Sequence, residues 1–158
     1  MPVLTPEEAS RWAAEQRAAG RRVVFTNGVF DLLHPGHTRY LADARALGDL
    51  LVVAVNSDRS VRALAKGPDR PVMTERERAE VLAALAAVDA VVIFDEDTPQ
   101  AIVEAIQPDV LVKGADWAED EIVGREVVER RGGRVVRVPL AAGYSTTAIL
   151  ARARGTGP

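Results

Sequence analysis

The sequence predicts an α/β fold built on a doubly wound, five-stranded parallel sheet with helices on both faces. Three observations carry this expectation. Short apolar runs alternate with amphipathic helical patterns along the whole chain. The runs are apolar throughout rather than at every second residue, as strands buried on both faces require. Polar residues out of keeping with a core recur just after the runs, where open parallel sheets bind their ligands.

Taken in order, Thr5 caps a first helix, with Pro6 in its first turn and Glu8 completing a capping box, and Gly20 ends it. Strands are expected at 23–26, 50–56, 90–94, 110–113 and 135–138. Helices are expected at 36–47, 74–87, 99–106, 125–131 and 146–154. Thr74 and Glu77 form a second capping box, and Gly48 and Gly132 stand where helix C-caps belong. Nothing resembles an internal repeat or an interdomain linker. Residues 1–154 therefore read as one domain, followed by a disordered tail at 155–158.

Composition narrows the function classes. The chain has 158 residues, 47% of them hydrophobic and 27% charged, a balance suited to one soluble core. A formal net charge of −3 argues against a nucleic-acid binder driven by bulk electrostatics, so an anionic ligand must be held by a few local donors. The absence of cysteine excludes disulfides and thiolate metal sites. Met1-Pro2-Val3-Leu4 lacks the basic and apolar regions of a secretory signal, and no run approaches the ~20 apolar residues that span a bilayer. A cytoplasmic protein with no membrane partner is expected.

The two histidines of the chain both fall in His34-Pro35-Gly36-His37, between the first long apolar run and a helix. Backbone N–H groups point outward at such a helix start, and its dipole favours anions. Gly36 lets a ligand approach the backbone closely. The turn reads as a polyphosphate site. Further polar groups lie after later strands: Lys113, Gly114 and Asp116 after the fourth, and Gly143, Ser145, Thr146 and Thr147 after the fifth. If the winding reverses between the first and fourth expected strands, all of them converge on one crevice.

The stretch from Thr26-Asn27-Gly28-Val29-Phe30-Asp31 through His34-Pro35-Gly36-His37 resembles the nucleotidylyltransferases that carry a His-x-Gly-His motif, a Rossmann-like, cytidylyltransferase-like superfamily. Asn56-Ser57-Asp58, Arg70-Pro71-Val72, Asp97-Thr98-Pro99-Gln100, Lys113-Gly114-Ala115-Asp116 and Ser145-Thr146-Thr147 are similar to one subfamily in particular. That subfamily adenylylates D-glycero-beta-D-manno-heptose 1-phosphate, and the chain resembles its free-standing form. The likeness covers roughly residues 20 to 153. It departs at Gly114-Ala115-Asp116-Trp117, where the subfamily often has Gly-Gly-Asp followed by Tyr, and at Ala142-Gly143-Tyr144 before the Ser-Thr-Thr.

The resemblance implies nucleotidyl transfer from ATP to a heptose 1-phosphate, giving ADP-heptose and pyrophosphate without a covalent intermediate. The nucleophile is already anionic, so the protein must align two anions and stabilise transition-state charge rather than supply a base. His34 and His37 then donate to triphosphate oxygens, and Lys113 offsets charge on the incoming phosphate. Ser145, Thr146 and Thr147 form an anion nest for the β- and γ-phosphates, their alternative being a plain N-cap. The nucleotide site is completed by Thr26, Asn27, Gly28, Phe30, Gly36, Arg78, Gly114 and Asp116. Arg78 has an alternative as a solvent-face partner of Glu75. The substrate site is assigned to Asn27, Asp31, Lys66, Trp117 and Tyr144. Lys66 is alternatively a solvated loop charge, and Asp31 a bonder of the turn's own backbone. Mg²⁺ or another divalent cation is expected on the phosphates, with no direct protein ligand. A homodimer is expected because relatives commonly dimerise.

Other classes fit less well. A Gly-x-Gly-x-x-Gly turn or a Gly-x-x-x-x-Gly-Lys-Ser/Thr loop is absent, which removes dinucleotide oxidoreductases and P-loop phosphotransferases. Glycerol-3-phosphate cytidylyltransferase remains as an enzymatic alternative, and a non-catalytic nucleotide sensor as one from a different class.

Overall fold

A computed structural model describes residues 1–65 and 67–156. The expected helix capped by Thr5 is α1 (Pro6–Ala18), with both bonds of its capping box formed. Five expected strands appear as β2 (Val23–Gly28), β3 (Leu50–Asn56), β4 (Ala90–Phe94), β5 (Val110–Gly114) and β6 (Arg134–Val138). The sheet has six strands rather than five. Val3–Leu4 forms a short edge strand, β1, in register with Val91 and Val92 of β4. Two residues are too few to show any periodicity, so the sequence gives no sign of it.

Every strand pair is parallel, and the order across the sheet is β1-β4-β3-β2-β5-β6. The chain winds outward from β2 through β3 to β4, then returns to β5 on the other side of β2. The winding reversal expected from the sequence therefore lies between β2 and β5.

Alternate residues of each strand feed two separate cores. Val24, Val53, Val91 and Val112 pack on one face with Tyr40, Leu41 and Ala44 of α2 (Pro35–Arg45) and Ala79, Leu82 and Ala83 of α4 (Glu75–Ala83). Phe25, Val52, Val92 and Leu111 pack on the other with α1, with α5 (Gln100–Ile106) and with Val128 of α6 (Arg125–Arg130). This is why the strands read as unbroken apolar runs. Three further elements complete the described chain: α3 (Asp58–Ala63), capped by Ser57, a 3₁₀ turn at Glu119–Glu121, and α7 (Thr146–Ala153), capped by Ser145. The helix α3 was not expected; six residues carry too little pattern to separate it from a loop.

Three aspartates latch the amino edge of the sheet. Asp49, Asp89 and Asp109 each stand one residue before a strand, and their carboxylates accept from the backbone N–H groups of Arg22, Leu51 and Val23, at 2.6, 2.8 and 2.8 Å. The second latch explains why α4 stops at Ala83, four residues before its expected end, although Ala84 to Ala87 are good helix formers. The chain must turn there to bring Asp89 N–H onto the Leu51 carbonyl at 2.9 Å. Gly132 follows α6 with φ 79°, as a helix-terminating glycine does. Gly48 has no such conformation. It is needed for space, since a Cβ there would lie 2.6 Å from Val24 Cγ2 and 2.9 Å from the Arg22 carbonyl oxygen. Beyond α7, Thr156 N–H donates to the Ala151 carbonyl at 2.9 Å, while 157 and 158 lie outside the described residues. No helix among the described residues is long and apolar enough to cross a membrane.

Candidate active site

A cleft of about 610 Å³ opens at the carboxyl edge, over the β2–β5 reversal. Its walls bring together fifteen of the eighteen residues singled out from the sequence: Asn27, Gly28, Phe30, Asp31, His34, Gly36, His37, Lys113, Gly114, Asp116, Trp117, Tyr144, Ser145, Thr146 and Thr147. They come from the ends of β2 and β5 and from the starts of α2 and α7.

His34 and Pro35 open α2, and the two imidazoles stack with centroids 3.8 Å apart and planes 18° apart. Burial, and then the neighbouring His34, pull His37 down to about 4, and burial also lowers His34. Both are neutral at pH 7, each with one N–H to donate. Gly36 does not leave its space to a ligand: a Cβ there would meet His34 Nδ1 at 2.9 Å and Tyr144 Cβ at 3.1 Å. The glycine instead lets the protein's own rings close over the turn. Tyr144 stacks beyond His34, centroids 6.1 Å apart, and Arg39 lies 5.5 Å from the Tyr144 ring.

Lys113 sits at the end of β5, 7% exposed, with its Nζ 5.3 Å from the Trp117 ring centroid. Burial lowers its pKa to about 8, a fall that Asp116 partly opposes. It is mostly an ammonium at neutral pH, and an arriving anion strengthens that charge. Ser145 Oγ accepts from Ala148 N–H at 3.0 Å, so this hydroxyl is the N-cap of α7. Thr146 and Thr147 occupy the first turn, facing the same cleft.

Two expected nucleotide contacts are not in the cleft walls. The Thr26 hydroxyl is fully buried, bonded to the Tyr40 hydroxyl at 2.7 Å and the Val112 carbonyl at 3.0 Å. Arg78 is also buried. Its guanidinium donates to the carbonyls of Met73 and Val29 at 3.0 and 2.7 Å and to Asp58 Oδ1 at 2.8 Å. It is neither a phosphate ligand nor the solvent-face partner of Glu75, because all three nitrogens join α4 to the loops beneath the site. The Asp31 carboxylate, with no exposed surface, accepts from Arg70 Nε and from the N–H groups of Val72 and Met73. Its partners lie about forty residues on in the chain, so it ties the histidine loop to the 70–73 segment rather than bonding its own turn, and no oxygen is left free for substrate. Lys66 lies outside the described residues.

The cleft walls also hold residues not assigned to the site from the sequence, Tyr40, Asn56 and Arg70 among them. A signal existed for two. Tyr40 follows His37 by one helical turn, and Asn56 is the lone polar residue ending an apolar strand. Tyr40 is pushed up to about 12, mainly by burial, so it is a neutral hydrogen-bonding group at any working pH.

One observation separates this cleft from ordinary packing. Among the described residues, the buried side-chain polar atoms without a hydrogen-bond partner are Asn27 Oδ1, His34 Nδ1 and His37 Nδ1. All three belong to its walls. Such atoms are costly in a folded protein unless something else satisfies them.

The cytidylyltransferase-like family model matches residues 25–152. Bifunctional protein HldE of Bradyrhizobium diazoefficiens is 58% identical over 153 residues, covering 97% of this chain and 31% of that protein. The protein of the same name from Hyphomonas neptunium is 57% identical over 145 residues, covering 92% and 29%. The chain thus spans less than a third of the length of these relatives. Among solved structures, a lipopolysaccharide core biosynthesis protein from Thermoplasma volcanium superimposes with a TM-score of 0.68 at 31% identity, over 77% of this chain and 99% of that one.

Proposed function

Because the chain belongs to the cytidylyltransferase-like family, we infer that it transfers the adenylyl group of ATP to a heptose 1-phosphate, releasing pyrophosphate and ADP-heptose. The observation that carries this reading is the trio of unpartnered polar atoms on Asn27, His34 and His37, all three residues of the cleft walls. The heptose acceptor is supported by the high identity to the HldE proteins and by the likeness to a lipopolysaccharide core biosynthesis protein.

An oxygen of the sugar phosphate attacks the α-phosphorus, and the bond from that phosphorus to the bridging oxygen breaks as pyrophosphate leaves. The attacking oxygen is anionic at neutral pH, so no side chain has to remove a proton. Neutral His34 and His37 donate N–H groups to the triphosphate without adding a like charge beside Lys113. Lys113 offsets charge where the two anions meet, in a setting dry enough for its charge to act strongly. The α7 N-terminus, with Thr146 and Thr147, receives the β- and γ-phosphates that become pyrophosphate.

Asn27 offers an amide to sugar hydroxyls or to the nucleotide. Among the described residues no three acidic, histidine or cysteine side chains cluster as a metal site, and Asp31 and Asp97 already bond arginines. A divalent cation would then be held by the triphosphate itself. Mg²⁺ bound there supplies further neutralisation of phosphate charge.

The test crosses four nucleoside triphosphates with a panel of sugar and polyol phosphates and measures pyrophosphate release. ATP with heptose 1-phosphate should be the preferred pair. Preference for CTP with glycerol 3-phosphate would replace this reading with the cytidylyltransferase one. Nucleotide binding with no turnover for any pair would point to a sensor.

A further inference from the structure

We propose that Arg70 is the anchor for the acceptor's phosphate monoester, an assignment that rests on the adenylyl-transfer reading above. Arg70 and Lys113 are the lysine or arginine side chains among the described residues that line the cleft. Arg70 is held from behind. Its Nε donates to Asp31 Oδ2 at 2.7 Å, and that carboxylate is itself fixed by the N–H groups of Val72 and Met73. The Asp31 side chain has no exposed surface while Arg70 keeps 12%, so the guanidinium stands between the buried carboxylate and the cleft.

A guanidinium carries five N–H donors in a planar fork. One is engaged by Asp31, and the terminal nitrogens have no partner among the described residues. Such a fork, already oriented and stripped of most of its water, matches two oxygens of a phosphate.

The position selects the acceptor over the nucleotide. Arg70 lies on the connection between β3 and β4, on one side of β2. The α7 N-terminus follows β6 and Lys113 ends β5, both on the other side. In-line displacement puts the entering oxygen and the departing pyrophosphate on opposite sides of the α-phosphorus. With pyrophosphate at α7, the entering phosphate approaches from the side where Arg70 stands.

The experiment compares wild type, Arg70→Gln and Arg70→Lys by steady-state kinetics with each substrate varied, together with inorganic phosphate as a competitor of the sugar phosphate. Loss of a charged hydrogen-bonding group should raise the acceptor KM about tenfold or more in Arg70→Gln and weaken phosphate inhibition in parallel, leaving the ATP KM nearly unchanged. Arg70→Lys, which keeps the charge but not the fork, should lie between. If Arg70→Gln does not fold, the same split between the two KM values in Arg70→Lys decides the matter. An unchanged acceptor KM, or equal rises in both KM values, overturns the assignment, because a purely structural tether to Asp31 would disturb both substrates alike. The crossed substrate screen on wild type fails independently: a different preferred acceptor ends the heptose reading, while phosphate competition in the variants still reports on Arg70.

Discussion

The ring of Phe30 meets that of His37 edge-on, with centroids 5.3 Å apart and planes 64° apart, and Phe30 does so from a left-handed backbone at φ 48°. A bulky residue in that region costs roughly 1–3 kcal/mol and persists only where its surroundings impose it. Gly28 helps to impose it: a Cβ there would lie 3.0 Å from the Phe30 ring. The strand end, the aromatic ring and the imidazole are thus one unit, and His37 is oriented before any ligand arrives.

His37→Ala should therefore lower turnover by on the order of 10², the loss of about 2.7–4 kcal/mol seen when one preorganised donor is removed. The fold should survive. The variant should also be less acid-sensitive. His37 falls from 6.5 to about 4 on folding, so the unfolded chain binds its proton first and stability drops as pH falls through that window. Removing the imidazole flattens that slope, which thermal melts between pH 4 and 7 will show.

Lys113 links activity and stability with opposite signs. Its charge is needed for chemistry, so kcat/KM should decline tenfold per pH unit above about 8, the value for the free protein. The limb in kcat should lie higher, because bound phosphates hold the proton. Folding lowers this pKa from 10.5, so the unfolded state binds the proton more readily and the Lys113 contribution to stability rises with pH from 8 to 10.5. Lys113→Met should accordingly raise the melting temperature at pH 7 while abolishing turnover. A lower melting temperature would contradict this account.

Divalent-metal dependence should follow the nucleotide. Calorimetric titration of Mg²⁺ into the ligand-free protein should give little heat, and prior addition of ATP should restore binding. Tight binding to the free protein would require a group of side-chain ligands, and none is found among the described residues.

Arg78→Met should destabilise the protein by about 3 kcal/mol, the lower part of the range for breaking a buried ion pair, since Asp58 keeps 21% exposure. Two backbone carbonyls, of Met73 and Val29, would also lose their donor. Denaturant unfolding measures this directly. Its effect on the ATP KM should be small if Arg78 acts beneath the site rather than in it.

The parts of the fold legible in the sequence were those carried by repetition. Unbroken apolar strands, two capping boxes and the position of His34 and His37 each pointed to the sheet, its helices and the edge that bears the cleft. Short or purely tertiary features left no such trace. Val3–Leu4 and α3 are too brief to show a period. Thr26 and Arg78 occupy positions where motif matching suggested phosphate contacts, but which way a side chain turns depends on groups far away in sequence, such as Val112 for Thr26 and Val29 for Arg78. Arg70 was overlooked for the same reason. It enters the sequence reading only within the Arg70-Pro71-Val72 likeness, and its place in the cleft and its bond to Asp31, 39 positions earlier, appear only in three dimensions.

The aspartate latches before β3, β4 and β5 have a consequence for how this scaffold can diverge. A slip of one residue in a parallel strand would exchange the residues it supplies to the two cores and spoil the packing of both. Asp49, Asp89 and Asp109 guard against that slip at the edge remote from the cleft. Alignment of the strands does not depend on the loops that face substrate. Those loops can therefore be lengthened, shortened or rewritten for a new acceptor while the β-scaffold keeps its alignment, so evolution can explore chemistry at one rim without renegotiating the architecture at the other.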